Sequence, residues 1–143
     1  MSEIQTVKVE LKTTVTNGPD SESYELLTFG TVQNKGRSIY LRYDEVQQDL
    51  NKTQTIVKWS PEEVFIMRSG HVKMRQKFLK GLMTVGTFES PYGTMQMLTT
   101  AKKMKHTWNE EEKTGTMHLI YDLNLQGNDV GQYEMQICYK EEA

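Results

Sequence analysis

The sequence predicts an all-β protein, an antiparallel β-barrel of about eight or more strands. Three observations predict it. Apolar residues recur at every second position in six separate stretches. Turn-forming residues fall between those stretches at fairly even intervals. Helix signals are few.

The rows run in order along the chain. The first is Val7, Val9, Leu11, Thr13 and Val15. The second is Ile39, Leu41 and Tyr43, with Arg42 and Asp44 on the opposite face. The third is Val64, Ile66 and Arg68, and the fourth is Val72, Met74, Gln76 and Phe78, set against Lys73, Arg75 and Lys77. The fifth is Met117, Leu119, Tyr121, Leu123 and Leu125. The last is Tyr133, Met135, Ile137 and Tyr139, alternating with Gln132, Glu134 and Gln136. Successive side chains of a strand point to opposite faces, so each row covers one side of a sheet. One apolar and one polar face is the antiparallel habit.

Turn chemistry separates the rows. Asn17-Gly18-Pro19-Asp20, Asn34-Lys35-Gly36 and Ser90-Pro91-Tyr92-Gly93 carry the usual turn residues. Ser69-Gly70 is read as a two-residue hairpin turn between Arg68 and His71. Glu110–Gly115 and Gly127–Gly131 close the last two hairpins. Ser60-Pro61-Glu62-Glu63 looks like a capping box, but the apolar run after it has no helical spacing, so it reads as a turn before a strand. Asp44–Leu50 has Val46 and Leu50 four apart and is read as a turn or two of helix. A long antiparallel meander leaves two raw edges, and closing it into a barrel removes them.

Composition narrows the function. At 143 residues, positions 1–143 are expected to form one domain. Lys and Arg number 17 against 19 Asp and Glu, a formal charge of −2, which is not the footprint of a duplex-DNA binder. Cys138 is the one cysteine, so no internal disulfide and no four-cysteine zinc site can form. His71, His106 and His118 match no metal spacing, and no cofactor motif is present. No apolar run approaches the roughly 20 residues of a membrane helix. Met1–Thr6 lacks the basic and apolar regions of a signal peptide, so a cytoplasmic protein is expected.

The residues also carry a resemblance. Leu41–Glu45, Thr53–Lys58, Val64–Gly70, Met74–Phe78, Gly86–Gly93 and Gly115–Leu123 occur in the order and spacing of the YwiB-like family. These are small bacterial calycin-like β-barrel proteins of uncharacterised function. Each stretch alone is ordinary strand and turn chemistry; the ordered set makes the resemblance specific, from near residue 26 to near residue 138. It implies a calycin or lipocalin-like barrel. It implies no activity, because the family offers no catalytic residues to carry over, and fold does not imply function.

Candidate site residues follow from inward rows. Arg68 extends the row of Val64 and Ile66, and Glu45 extends that of Leu41 and Tyr43. If both rows face inward, an arginine and a carboxylate enter the barrel, and buried charges must pair. As a ligand anchor, Arg68 would hold a carboxylate or phosphate, with Tyr43 or Tyr121 adding a hydroxyl. The alternative is a structural ion pair, or a rim arginine beside the turn. Tyr92, at the tip of a rigid turn, is a candidate lid over the mouth; otherwise it packs on the barrel end. Of the nine methionines, Met74, Met117 and Met135 lie on inward rows and either line a soft cavity or fill the core. Lys102, Lys103, Lys105, His106 and Trp108 form one basic and aromatic patch, and Lys73, Arg75, Lys77 and Lys80 another. They either meet single-stranded nucleic acid or are a solvated strand face. Catalytic elbows, phosphate loops and zinc-protease motifs are absent.

The expected function is binding of a small apolar or amphipathic ligand inside the barrel, by Arg68, Glu45, Tyr43, Tyr121 and Tyr92. A packed barrel working through an outer face or a homodimer interface is the alternative. An enzyme using a buried Glu45 as an acid or base is a third.

Overall fold

A strand with one apolar face needs that face covered, and ten such strands cover one another by closing into a ring. The computed structural model describes residues 3–46 and 52–142. Its strands are β1 (Ile4–Asn17), β2 (Asp20–Lys35), β3 (Ser38–Val46), β4 (Lys52–Trp59) and β5 (Val64–Gly70). They continue as β6 (Lys73–Phe78), β7 (Met83–Ser90), β8 (Gly93–Asn109), β9 (Thr114–Leu125) and β10 (Asn128–Glu141). Each pairs antiparallel with the next, and β10 pairs back onto β1. Val7 lies opposite Glu141 and Thr16 opposite Gln132 along that closing seam.

The rows face as the alternation requires. Val7, Val9, Leu41, Val64, Ile66, Phe78, Met117, Leu119 and Ile137 are buried inside. Lys73 and Arg75 are exposed on the outside. Cys138 is a half-buried free thiol on the outer wall, and burial raises its pKa. Among the described residues no helix is long and apolar enough to cross a membrane.

One barrel end is packed shut. Trp59 of β4, His106 and Trp108 of β8 and Tyr139 of β10 meet there. The His106 Nε2 and the Tyr139 hydroxyl lie 2.7 Å apart. Trp59 tilts against His106 at 6.2 Å, and Trp108 stacks on Tyr139 at 6.1 Å. Burial holds the His106 imidazole below its usual pKa and pushes the Tyr139 hydroxyl up to about 12.

Several local expectations change. Ser69 and Gly70 are strand residues, paired with Gln54 and Thr53, and the turn is His71-Val72. Gly70 has the positive φ expected of it, +123°, and a Cβ there would also stand 2.4 Å from the Lys52 carbonyl oxygen, so this glycine serves both the chain reversal and a close strand approach. Val72 consequently leaves the inward row. The last hairpin turns on Gln126-Gly127, and Gly131 sits at a register shift within β10. Asp44–Val46 belong to β3, and the rest of the expected Asp44–Leu50 helix lies outside the described residues. Ser60–Glu63 is a turn, closed by the Ser60 N–H donating to the Glu63 carbonyl at 2.9 Å.

Candidate functional site

The other barrel end is hollow. A cavity of about 780 Å³ opens there, and among the described residues its lining comes from every strand except β4. Its walls differ in character. Tyr43, Glu45, Arg68 and Gln76 give β3, β5 and β6 a polar wall. Leu11, Met97, Leu123, Leu125 and Met135 give β1 and β8–β10 an apolar one.

Register builds the polar wall. Tyr43 lies opposite Thr55, Thr55 opposite Arg68, and Arg68 opposite Met74. One inward layer therefore joins four strands. Arg68 Nη2 donates to Glu45 Oε1 at 3.3 Å, with 27% and 13% of the two side chains exposed. Arg68 Nε is buried and finds no acceptor among the described residues, and buried Thr55 Oγ1 is likewise unpartnered. A buried donor without a partner is costly, so Arg68 is only partly satisfied where it stands. Gln76 Nε2 donates to Thr99 Oγ1 at 2.9 Å.

Two tyrosines complete the wall. Burial raises the Tyr43 hydroxyl well above the ordinary range; nearby Glu45 adds to the rise and Arg68 opposes it. Burial does the same to Tyr121. Both remain neutral hydroxyls at physiological pH. Tyr121 stacks on Tyr133 at 5.3 Å and takes Phe78 edge-on at 4.9 Å. Its ring therefore divides the hollow end from the packed core.

The fold thus brings Arg68, Glu45, Tyr43 and Tyr121 into one cavity and leaves Tyr92 apart. Tyr92 is at the tip of the β7–β8 turn and 99% exposed. That turn is at the mouth end, where Phe88 and Met95 on its two flanking strands line the cavity. Met74 and Met135 line the cavity as well, whereas Met117 is in the packed core. The methionines Met95 and Met97 and the aromatics Tyr24, Phe88 and Tyr133 are further lining residues. Only Tyr133 stood on a row visible in the sequence. The basic patch on β8 divides: Lys102 pairs with Asp122 at 3.1 Å outside, while His106 turns in to Tyr139. On β6, Lys77 pairs with Glu63 at 3.5 Å. Among the described residues no cluster of His, Cys, Asp or Glu is suited to a metal ion.

A second concavity, of about 690 Å³, lies on the outer wall beside Glu10, Leu27, His118 and Cys138. The His118 Nε2 and Glu134 Oε2 approach to 2.7 Å near it. Among the described residues, none of the polar side chains that line it is fully buried.

Comparison with known proteins agrees with this architecture. The model of DUF1934, a domain of unknown function, matches residues 9–137. The uncharacterized β-barrel protein YwiB of Bacillus subtilis (strain 168) is 31% identical over 134 residues, covering 94% of this chain and 92% of that protein. The crystal structure of the ywiB protein from Bacillus subtilis superposes with a TM-score of 0.86 at 29% identity, covering 98% of this chain and 94% of that one.

Proposed function

Because the chain belongs to the DUF1934 family, whose function is unknown, we propose a role from the geometry of its site: the barrel encloses one small amphipathic molecule. The polar end of that molecule meets Arg68, Tyr43 and Tyr121. Its apolar body lies against the methionine and leucine wall. The observation that carries this reading is the cavity of about 780 Å³, open at one end among the described residues, with walls of opposite polarity. Ligand sites are concave, mostly apolar, and carry a few placed polar groups. Flexible methionines let such a wall adapt to more than one ligand shape. A cytoplasmic setting belongs to the same proposal, supported by the single free thiol of Cys138.

A second reading has its own support. Leu27 and Phe29 stand on the outer face of β2, each 61% exposed, and fit a surface that meets another protein.

The neutral fluorophore N-phenyl-1-naphthylamine tests the first reading. The protein is expected to bind it saturably, one per chain, with a rise in emission. Leu125→Trp fills the cavity from β9 and is expected to weaken binding at least about tenfold, the loss of about 1.4 kcal/mol, with an unchanged circular dichroism spectrum. Equal binding by a folded Leu125→Trp protein places the probe elsewhere and overturns the reading.

A further inference from the structure

We propose that the ligand's head is a single anionic group, of the carboxylate class, and that Glu45 is its built-in competitor for Arg68, so that binding takes up a proton. The inference rests on the barrel cavity being the binding site.

The geometry supports this in three steps. A guanidinium presents a planar fork that a carboxylate fills with two parallel hydrogen bonds. Here the fork is half used. Glu45 reaches it through one contact, Oε1 to Nη2 at 3.3 Å, and buried Nε has no acceptor among the described residues. The chain's own carboxylate thus neutralises Arg68 without satisfying it. A ligand anion that takes the fork leaves Glu45 beside it, largely shielded from water. Two carboxylates that share one site cannot both stay ionised, and one of them binds a proton. The proton comes from solvent and ends on Glu45; no other bond changes.

The surrounding groups leave that role to Glu45. Tyr43 on its own strand, Tyr24 on β2, Tyr121 on β9 and Tyr133 on β10 all have raised pKa values and stay neutral. Arg68 on β5 stays charged. Glu22 and Glu25 of β2 line the rim but are exposed to solvent. Asp44 beside it on β3 is paired with Lys52 of β4 at 3.2 Å.

The sign follows. At high pH the ligand must displace an ionised Glu45, so affinity falls as pH rises, by up to about tenfold per pH unit for one proton. Decane-1-sulfonate is the probe, because its charge is constant between pH 5.5 and 7.5, and decan-1-ol is its neutral control. Calorimetric titration of the wild type is expected to show at least about tenfold weaker sulfonate binding at pH 7.5 than at pH 5.5. Glu45→Gln is expected to bind equally at both pH values and more tightly than the wild type at pH 7.5, because it has no proton to take up. Glu22→Gln should keep the wild-type drop. Arg68→Met should lose the preference for sulfonate over decanol; should that variant fail to fold, Glu45→Gln decides the matter alone. A pH drop that persists in Glu45→Gln, or that vanishes in Glu22→Gln, overturns the proposal. So does a wild type that at pH 5.5 binds decanol at least as well as sulfonate. A wild type that binds neither probe overturns the cavity reading beneath it.

Discussion

Gly30→Val is expected to lower the melting temperature by about 10 °C or more, corresponding to about 3 kcal/mol. Gly30 of β2 sits opposite Tyr43 of β3. A Cβ there would stand 2.0 Å from the Arg42 carbonyl oxygen and 3.0 Å from the Tyr43 Cβ. The first of these is backbone, held in the β3–β4 ladder through the Arg42–Ile56 pairing, so no rotamer change relieves the clash. The two strands must part, and Tyr43 loses its place in the polar wall. Thermal unfolding followed by circular dichroism measures the effect. A melting temperature within about 2 °C of the wild type would show that the two strands do not approach this closely.

Phe78→Ala is expected to cost about 3–5 kcal/mol, and Leu125→Ala less than about 1.5 kcal/mol. Phe78 is fully buried, opposite Val64, with its ring on Tyr121. Its removal leaves a void that the closed ring of strands cannot collapse around. Leu125 is half-buried and lines the open cavity, where a smaller side chain enlarges a space already present. Denaturant unfolding of the two variants compares them directly. Equal losses would mean that the mouth end is packed as tightly as the other, and that the hollow half does not persist in solution.

Much of the fold was legible because period 2 survives wherever a strand is half buried. The rows of β1, β3, β5, β6, β9 and β10 pointed inward as read, and Arg68 and Glu45 followed their rows into one cavity. The remaining strands hid for physical reasons. On β4 the inward positions are Thr53, Thr55, Val57 and Trp59, and the threonines disguise the alternation. On β8 the register shifts between Ala101 and Lys103, so the inward row jumps from Met97, Thr99 and Ala101 to Met104 and His106. No single phase fits that strand, which is why Met97 and His106 were not legible as inward residues. On β2 only Val32 is buried outright among apolar side chains, so Tyr24 and Leu26 gave no row although both line the cavity. Ser69-Gly70 resembled a turn because glycine serves a close strand approach and a turn equally well. Tyr92 was a reasonable lid from its position, yet its ring projects into solvent at the mouth end.

These particulars bear on the alternatives for the barrel. An ion pair at a rim and a pair inside a cavity look alike in sequence; exposures of 27% and 13% put Arg68 and Glu45 between solvent and interior. There they can both stabilise the mouth and meet a ligand. Loss of Arg68 therefore affects packing as well as charge, and Glu45→Gln is the cleaner probe of the site.

Native mass spectrometry of gently purified protein, followed by organic extraction, tests the central claim most directly. The account predicts a stoichiometric adduct on the chain that is released on extraction, carries an anionic head and an apolar body, and is diminished on Leu125→Trp. A bare chain mass in repeated preparations, together with no uptake of an added C10 carboxylate, would contradict it.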